Sequence, residues 1–317
     1  MSAQNSSQIR DEAAPAQALP AALREARIWM DGQECPAAAA SVSVFDRGFL
    51  YGDSVFETLR TYAGRPFALA EHVERLAESA RKVFIDLPVG TGVLRSEILA
   101  ACAASVRAGA EPRELYVRSM VTRGVGALGL DPGLASRPLR VIITTPLSPP
   151  APELYEHGIA TVTYRAARLA DHTEASGAKL GNYLVAVLAT RKAAIAGAKE
   201  ALIVDSAGQV LEGATSNVFW LDGAGVLHTP GLDSGILGGI TRKHLLSVAR
   251  ALGRKVDETT PSLDELLSAR EVFISSSVRE LLPVVAVDGQ PIGGGRPGPV
   301  TRELHAAFRA HCLRSVG

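Results

Sequence analysis

From Arg27 onward the chain alternates between strand-like and helix-like text. Arg27-Ile28-Trp29-Met30 runs into Asp31-Gly32, a pair that tolerates positive φ and so closes a two-residue hairpin. Ser41-Val42-Ser43-Val44-Phe45 alternates polar with apolar and predicts another strand. Over residues 68–85 the period changes. Leu69, Val73, Leu76, Ala80 and Val83 recur at spacings of four and three, which line one helix face, and Glu71, Glu74, Glu78 and Arg81 occupy the other. Residues 115–122 and 139–145 are rich in β-branched side chains and predict strands. Pro146-Leu147-Ser148-Pro149-Pro150-Ala151-Pro152 then breaks all periodicity. Beyond it the text predicts strands over 159–164, 201–205 and 209–211, a helix over 183–196, and a second helix after Gly238-Gly239. Several hairpins among mixed elements favour an α+β chain of two α/β domains over a doubly wound parallel sheet. The expected division is a disordered tail at 1–26, a smaller domain at 27–146, a linker at 147–152 and a larger domain at 153–317.

Composition narrows the function. The 317 residues are 47% hydrophobic and 21% charged, as in a globular protein with a substantial core. Lys plus Arg at 33 balances Asp plus Glu at 33, which removes the electrostatic case for a nucleic-acid or anionic-membrane binder and makes a small molecule the expected partner. Cys35, Cys102 and Cys312 form no CxxC pair, so no disulfide framework or metal site is expected, and a reducing cytoplasm fits. The first twenty residues lack the apolar core of a signal peptide, and Asn5-Ser6-Ser7 is then an incidental glycosylation match.

Gly124-Val125-Gly126-Ala127-Leu128-Gly129 fits GxGxxG after a strand, but Leu130-Asp131-Pro132-Gly133 follows as a turn where a dinucleotide site requires a helix. The lysines say more. Of six, Lys82, Lys192, Lys199, Lys243 and Lys255 each stand beside a charged residue, whereas Lys179 lies in Ser176-Gly177-Ala178-Lys179-Leu180-Gly181 with small and apolar neighbours. An amine so surrounded can stay partly neutral and form a Schiff base with an aldehyde cofactor, although a snorkelling lysine reads the same locally. Glu212, after the apolar Val210-Leu211, calls for a cationic or N–H partner if buried, and a protonated pyridine nitrogen would serve. Leu237-Gly238-Gly239-Ile240-Thr241 opens a helix whose unpaired N–H groups suit a phosphate, or simply mark a capped helix start.

Together these residues resemble the class IV, fold-type IV pyridoxal-5′-phosphate (PLP) aminotransferases, the family of branched-chain aminotransferases, D-amino-acid aminotransferases and aminodeoxychorismate lyases. The resemblance covers residues 28–308. It rests on the run from Phe45 to Glu57, on His72-Val73-Glu74-Arg75-Leu76 and on Tyr116-Val117-Arg118, and continues through 179–183, Leu211-Glu212-Gly213, Gly239-Ile240-Thr241-Arg242 and Gly298-Pro299-Val300-Thr301. It implies that Lys179 forms the Schiff base with PLP and later moves a proton between substrate and cofactor, while Glu212 keeps the ring nitrogen protonated. Arg75, the N–H groups of Ile240 and Thr241, and Ser277 would hold the phosphate, Tyr183 would meet the phenolic oxygen, and Leu237 would pack on the ring. Without the resemblance, Arg75 reads as a solvated helix charge and Tyr183 and Leu237 as core residues.

On the substrate side, Tyr51, Phe56, Arg60, Tyr116 and Arg118 match the pocket of branched-chain enzymes, which implies Leu, Ile or Val as donor and 2-oxoglutarate as acceptor. Two departures pull away. Thr58 replaces the glycine usual after Phe-Glu, and Ser275-Ser276-Ser277-Val278-Arg279-Glu280 replaces a Gly-Thr-Ala-Ala turn whose N–H groups receive the substrate carboxylate. Arg279 would either bridge outward or recruit a second carboxylate. A D-amino-acid or (R)-amine transaminase and an aminodeoxychorismate lyase therefore stay open. The resemblance also implies a homodimer or larger homo-oligomer, with the Gly124–Pro132 loop bordering the neighbouring subunit's pocket and Leu130 facing the substrate.

Overall fold

The computed structural model describes residues 19–108, 113–166 and 174–316. Most of the expected tail lies outside that range, and its described end carries one 3₁₀ turn, Ala21–Leu23.

In the first half, β1 (Arg27–Met30) and β2 (Gln33–Cys35) form the predicted hairpin, with Asp31 at φ 48° and Gly32 at φ 83°. A short helix α1 (Arg47–Tyr51) leads into β3 (Ser54–Tyr62) and β4 (Arg65–Pro66). Next come α2 (Leu69–Lys82), α3 (Thr91–Ala108), β5 (Leu115–Thr122) and β6 (Leu139–Pro146). The sheet runs in the order β2-β1-β6-β5-β3-β4, all antiparallel. Its inner face sends Val55, Leu59, Val117, Val121 and Ile142 against Val73, Leu76 and Ala80 of α2 and Leu94 and Ile98 of α3, all of them buried. Each fully buried leucine or isoleucine there contributes about 2 kcal/mol.

The expected strand at 41–45 does not form. Val42, Val44 and Phe45 are exposed, and only Asp46 bridges to Val125. Alternation states which side a residue would face, but a strand also needs a neighbour to pair with, and this segment has none.

The second half opens with α4 (Pro152–His157), which starts on the last proline of the breaking segment, at a position where the missing N–H is harmless. Then follow β7 (Ile159–Arg165), α5 (Leu184–Ile195), β8 (Glu200–Val204), β9 (Val210–Gly213), β10 (Asn217–Leu221) and β11 (Leu227–Thr229). The chain continues with α6 (Ile240–Ala251), β12 (Val256–Glu258), α7 (Leu263–Leu267), β13 (Glu271–Ser276), β14 (Glu280–Val287), β15 (Gln290–Pro291) and α8 (Pro299–Val316). The main path of this sheet is β12-β11-β10-β13-β14-β7-β8-β9, with parallel pairs at β11/β12, β14/β7 and β7/β8. Phe219, Phe273, Leu245, Leu304 and Phe308 fill the layer under α6 and α8. No helix among the described residues is long and apolar enough to cross a membrane.

Candidate active site

Strand alternation sets out the first wall. In β3, Val55 and Leu59 face the core, so Phe56, Thr58 and Arg60 face away from it. Their partners across β5 are Met120, Arg118 and Tyr116, on the same face. The Arg118 guanidinium lies 3.8 Å from the centre of the Phe56 ring, and its Nε donates to Met120 Sδ at 3.1 Å.

Lys179 is brought to this wall by its backbone. The edge of β3 at Ser54–Phe56 has no strand beyond it, and residues 179–181 dock there. Phe56 N–H donates to Lys179 O at 3.2 Å, Gly181 N–H to Ser54 O at 2.8 Å, and Lys179 N–H to Ser79 Oγ of α2 at 3.1 Å. Gly181 is required by this approach, since a Cβ there would stand 2.0 Å from Ser54 Oγ. Lys179 Nζ lies 4.6 Å from the centre of the Phe56 ring and donates to Tyr183 Oη at 3.3 Å, with the Tyr183 and Phe56 rings 5.2 Å apart. Desolvation pushes the Lys179 amine down to about 8, with Arg75 and Arg118 adding to the shift and Glu57 and Glu212 opposing it. A substantial neutral fraction therefore exists near neutral pH, which a nucleophilic amine needs.

A corner with the groups to receive an anion lies beside it. The N-terminus of α6 begins at Gly239 without any side-chain cap. Asn217 Nδ2 donates to Leu237 O at 2.8 Å and Leu237 N–H donates to Glu212 Oε2 at 3.2 Å, so the turn before Ile240 and Thr241 is pinned from both sides. Arg75 Nη1 donates to Gly238 O at 2.6 Å, which brings the guanidinium to the same turn.

What orients Arg75 is Glu57, a residue noted in the sequence only as part of a motif. Its Oε1 accepts from Arg75 Nε and its Oε2 from Arg75 Nη2, both at 2.7 Å, and Oε2 also meets His72 Nδ1 at 2.7 Å. Burial alone would raise the Glu57 carboxyl, but Arg75 and His72 outweigh it and hold it at about 2, while burial pushes His72 below its usual range. A signal was available: Glu57 alternates with Val55 and Leu59 on the core face of a strand, and a carboxylate in that position demands partners. His72 and Arg75, three apart on α2, supply them.

The turn 277–279 joins β13 to β14 and meets the same wall. Arg60 Nη1 reaches Val278 O at 3.3 Å and Glu280 Oε1 at 3.0 Å. Arg279 pairs with the buried Glu200 at 2.8 Å, with Thr215 Oγ1 and Ser276 Oγ as further partners. Tyr51 and Leu130 stand apart from this cluster. Gly129 N–H donates to Tyr51 Oη at 3.3 Å, and Arg47 holds the loop by donating to Gly129 O at 2.7 Å and Leu130 O at 3.2 Å. Leu130 is 79% exposed in the single chain.

The residues fit an aldehyde-bearing pyridine phosphate. They combine a partly neutral amine, a carboxylate beside it, an arginine with an uncapped helix start, and a buried hydroxyl, Ser275 Oγ, that has no protein partner. Ser275 lies directly opposite Asn217 across β13 and β10, on the strand face that runs to that helix start.

The amino-transferase class IV family model matches residues 54–287. A Methanocaldococcus jannaschii protein named provisionally as a branched-chain-amino-acid aminotransferase is 38% identical over 283 residues, 89% of this chain and 95% of that one. A D-alanine aminotransferase of Bacillus licheniformis is 33% identical, with 90% and 97% of the two chains covered. The crystal structure of the Escherichia coli branched-chain amino acid aminotransferase superposes with a TM-score of 0.82 at 32% identity, covering 92% of this chain and 96% of that one.

Proposed function

Because the chain belongs to the class IV aminotransferases, fold-type IV enzymes that use pyridoxal 5′-phosphate, we propose that it transfers the amino group of a branched-chain L-amino acid to 2-oxoglutarate. The observation that carries this reading is the wall around Lys179. Phe56 and Met120 offer an apolar surface to a branched side chain, and Arg118, held over the Phe56 ring, brings a positive charge for the second carboxylate of the acceptor. One pocket can then take leucine and 2-oxoglutarate in turn.

Bound PLP supplies an electron sink that lets the substrate Cα–H bond ionise. The chain supplies the rest. Lys179 Nζ, kept partly neutral at about 8, would take the Cα proton and deliver it to the cofactor's aldehyde-derived carbon, C4′. Glu212 offers its carboxylate to the ring nitrogen and keeps that nitrogen protonated. Arg75, the N–H groups of Ile240 and Thr241, and Ser277 hold the phosphate. Tyr183 Oη, already in contact with Lys179, orients the phenolic oxygen, and Leu237 covers the ring and excludes water.

We read the two sheets as the cores of two domains, 27–146 and 153–317, joined at 147–152 with the cofactor between them. A homodimer is proposed on the same grounds, supported by Phe49, Leu128 and Leu130, each more than two-thirds exposed in the single chain. Thr58 and the Arg279 that departs from the branched-chain turn favour the second reading, a D-amino-acid or (R)-amine transaminase, and Thr58 also supports the lyase.

The test is a set of half-reactions on the purified holoenzyme, following cofactor absorbance. L-leucine converting the cofactor and 2-oxoglutarate restoring it would establish the reading. Conversion by D-alanine or (R)-1-phenylethylamine alone would overturn it in favour of the second, and pyruvate release from aminodeoxychorismate without any amino transfer would favour the lyase.

A further inference from the structure

We propose that Glu280 is a positioning residue that, through Arg60, fixes the 277–279 turn against the substrate pocket, so that Arg60 acts on the turn and not on the substrate. The inference rests on the aminotransferase reading above and deepens it.

Ser276 and Glu280 are the last paired residues of β13 and β14, so only Ser277, Val278 and Arg279 span the hairpin. The residue that closes the turn, on entry to β14, has positive φ, a conformation for which glycine is the default. Here that residue is Glu280, at φ 54° and buried. A glutamate in this conformation is strained and persists only where its surroundings over-determine it.

The surroundings do so. Glu280 Oε1 accepts from Tyr62 Oη at 2.8 Å and pairs with Arg60 at 3.0 Å; Oε2 meets His305 Nε2 at 2.7 Å and Arg309 Nη1 at 3.6 Å. These partners come from β3 in the first sheet and α8 in the second half, so one carboxylate joins the two. The Arg60 guanidinium, 4.5 Å from the centre of the Tyr62 ring, then spends its Nη1 on Val278 O. On the far side, Tyr155 Oη donates to Arg279 O at 3.0 Å, and the Arg279 side chain is anchored on Glu200. The carbonyls of Val278 and Arg279 are both held from outside the turn.

A glycine at 280 would accept the backbone without strain and a glutamine would keep most of the shape. Neither would hold Arg60 by charge. The strained carboxylate is therefore the feature that couples the substrate wall of β3 to the turn expected to receive the substrate carboxylate.

The test uses the holoenzyme, with 4-methylpentanoate as a non-reacting carboxylate probe titrated by cofactor absorbance. Glu280→Gln and Arg60→Met should each weaken the probe and raise KM for the amino acid about tenfold, with kcat changing less than threefold. The double variant should be little worse than either single one. Tyr155→Phe, which removes only the contact to Arg279 O, should weaken the probe two- to threefold and keeps the test open if Glu280→Gln does not fold. Arg60→Met acting alone, with Glu280→Gln matching the parent, would make Arg60 a direct substrate ligand and overturn the proposal. Additive effects in the double variant would overturn it too. Failure of the parent enzyme to react with any amino donor would instead sink the aminotransferase reading itself, a result separable from both.

Discussion

Glu57 holds Arg75 by both sides of its guanidinium fork, Nε to Oε1 and Nη2 to Oε2 at 2.7 Å each, across the seam between β3 and α2. The third arm, Nη1, points at Gly238 O before α6. A guanidinium fixed in this way is pre-organised, so little side-chain entropy is lost when an anion arrives. Glu57→Gln removes the charge and keeps the shape. Its expected result is a tenfold or larger rise in Kd for PLP, together with a loss of about 3 kcal/mol in unfolding free energy from a broken buried pair. Cofactor titration of the apo-protein and urea unfolding measure the two. Parental values in both would show that Arg75 needs no such support.

Glu57 also predicts an acid limb. Its folded value, about 2, lies below the 4.5 of an ordinary glutamate. A carboxyl depressed in the folded state contributes stability that is present above about 4.5 and lost as pH falls toward 2. A shift of that size corresponds to about 3 kcal/mol. The difference in stability between the parent and Glu57→Gln should accordingly shrink as pH is lowered from 5 to 2, read by urea unfolding at each pH. A gap that stays constant over that window would assign the stabilisation to packing.

Capture of PLP should report Lys179 directly. The neutral amine is the nucleophile, so a folded value of about 8 predicts a rate that rises close to tenfold per pH unit below 8 and levels above it. An ordinary lysine would still be rising at pH 10. Stopped-flow absorbance on the apo-protein between pH 6 and 10 distinguishes the two curves.

Much of this was legible in the sequence, and the parts that were not have separate causes. The hairpin at Asp31-Gly32, the apolar stripe of α2 and the isolation of Lys179 from other charges are local facts, and local text carries them. Ser41 to Phe45 misled because pairing, unlike alternation, is not local. Helix α8 was overlooked although Thr301, Leu304, Phe308 and Cys312 mark a buried stripe at helical spacing. Arg60 and Glu280 meet only in space, from strands 220 residues apart. The partners of Glu57 were only fifteen and eighteen residues away. What hid them was the expectation that a helix charge such as Arg75 faces solvent.

Arg118 separates the two halves of the proposed reaction. It lies over the Phe56 ring, where an apolar donor side chain needs no charge, whereas 2-oxoglutarate brings a second carboxylate. Arg118→Met keeps the length and the apolar stem and loses the charge. KM for 2-oxoglutarate should rise 10- to 100-fold, the span of a lost charge-assisted contact, and the half-reaction with L-leucine should change less than fivefold. Equal losses with both substrates would return Arg118 to the substrate α-carboxylate or to the cofactor.

Gly239 tests whether the phosphate corner is set by its backbone. Its φ of −61° is open to any residue, so conformational freedom is not why glycine stands there. Space is. A Cβ at 239 would lie 2.0 Å from Asn217 Oδ1, and Asn217 cannot swing aside without giving up the bond from Nδ2 to Leu237 O. Breaking that bond leaves a buried amide without its partner, at about 1–3 kcal/mol, and loosens the turn whose other ties are Leu237 N–H to Glu212 and Arg75 to Gly238 O. Gly239→Ala should therefore weaken PLP binding at least tenfold and lower apo-protein stability by about 2 kcal/mol. Adding Asn217→Ala should recover part of the stability by removing the clash, while affinity for PLP stays low because the turn remains untied. Recovery of both in the double variant would show that Asn217 only fills space, and that the N-terminus of α6 is shaped by the helix alone.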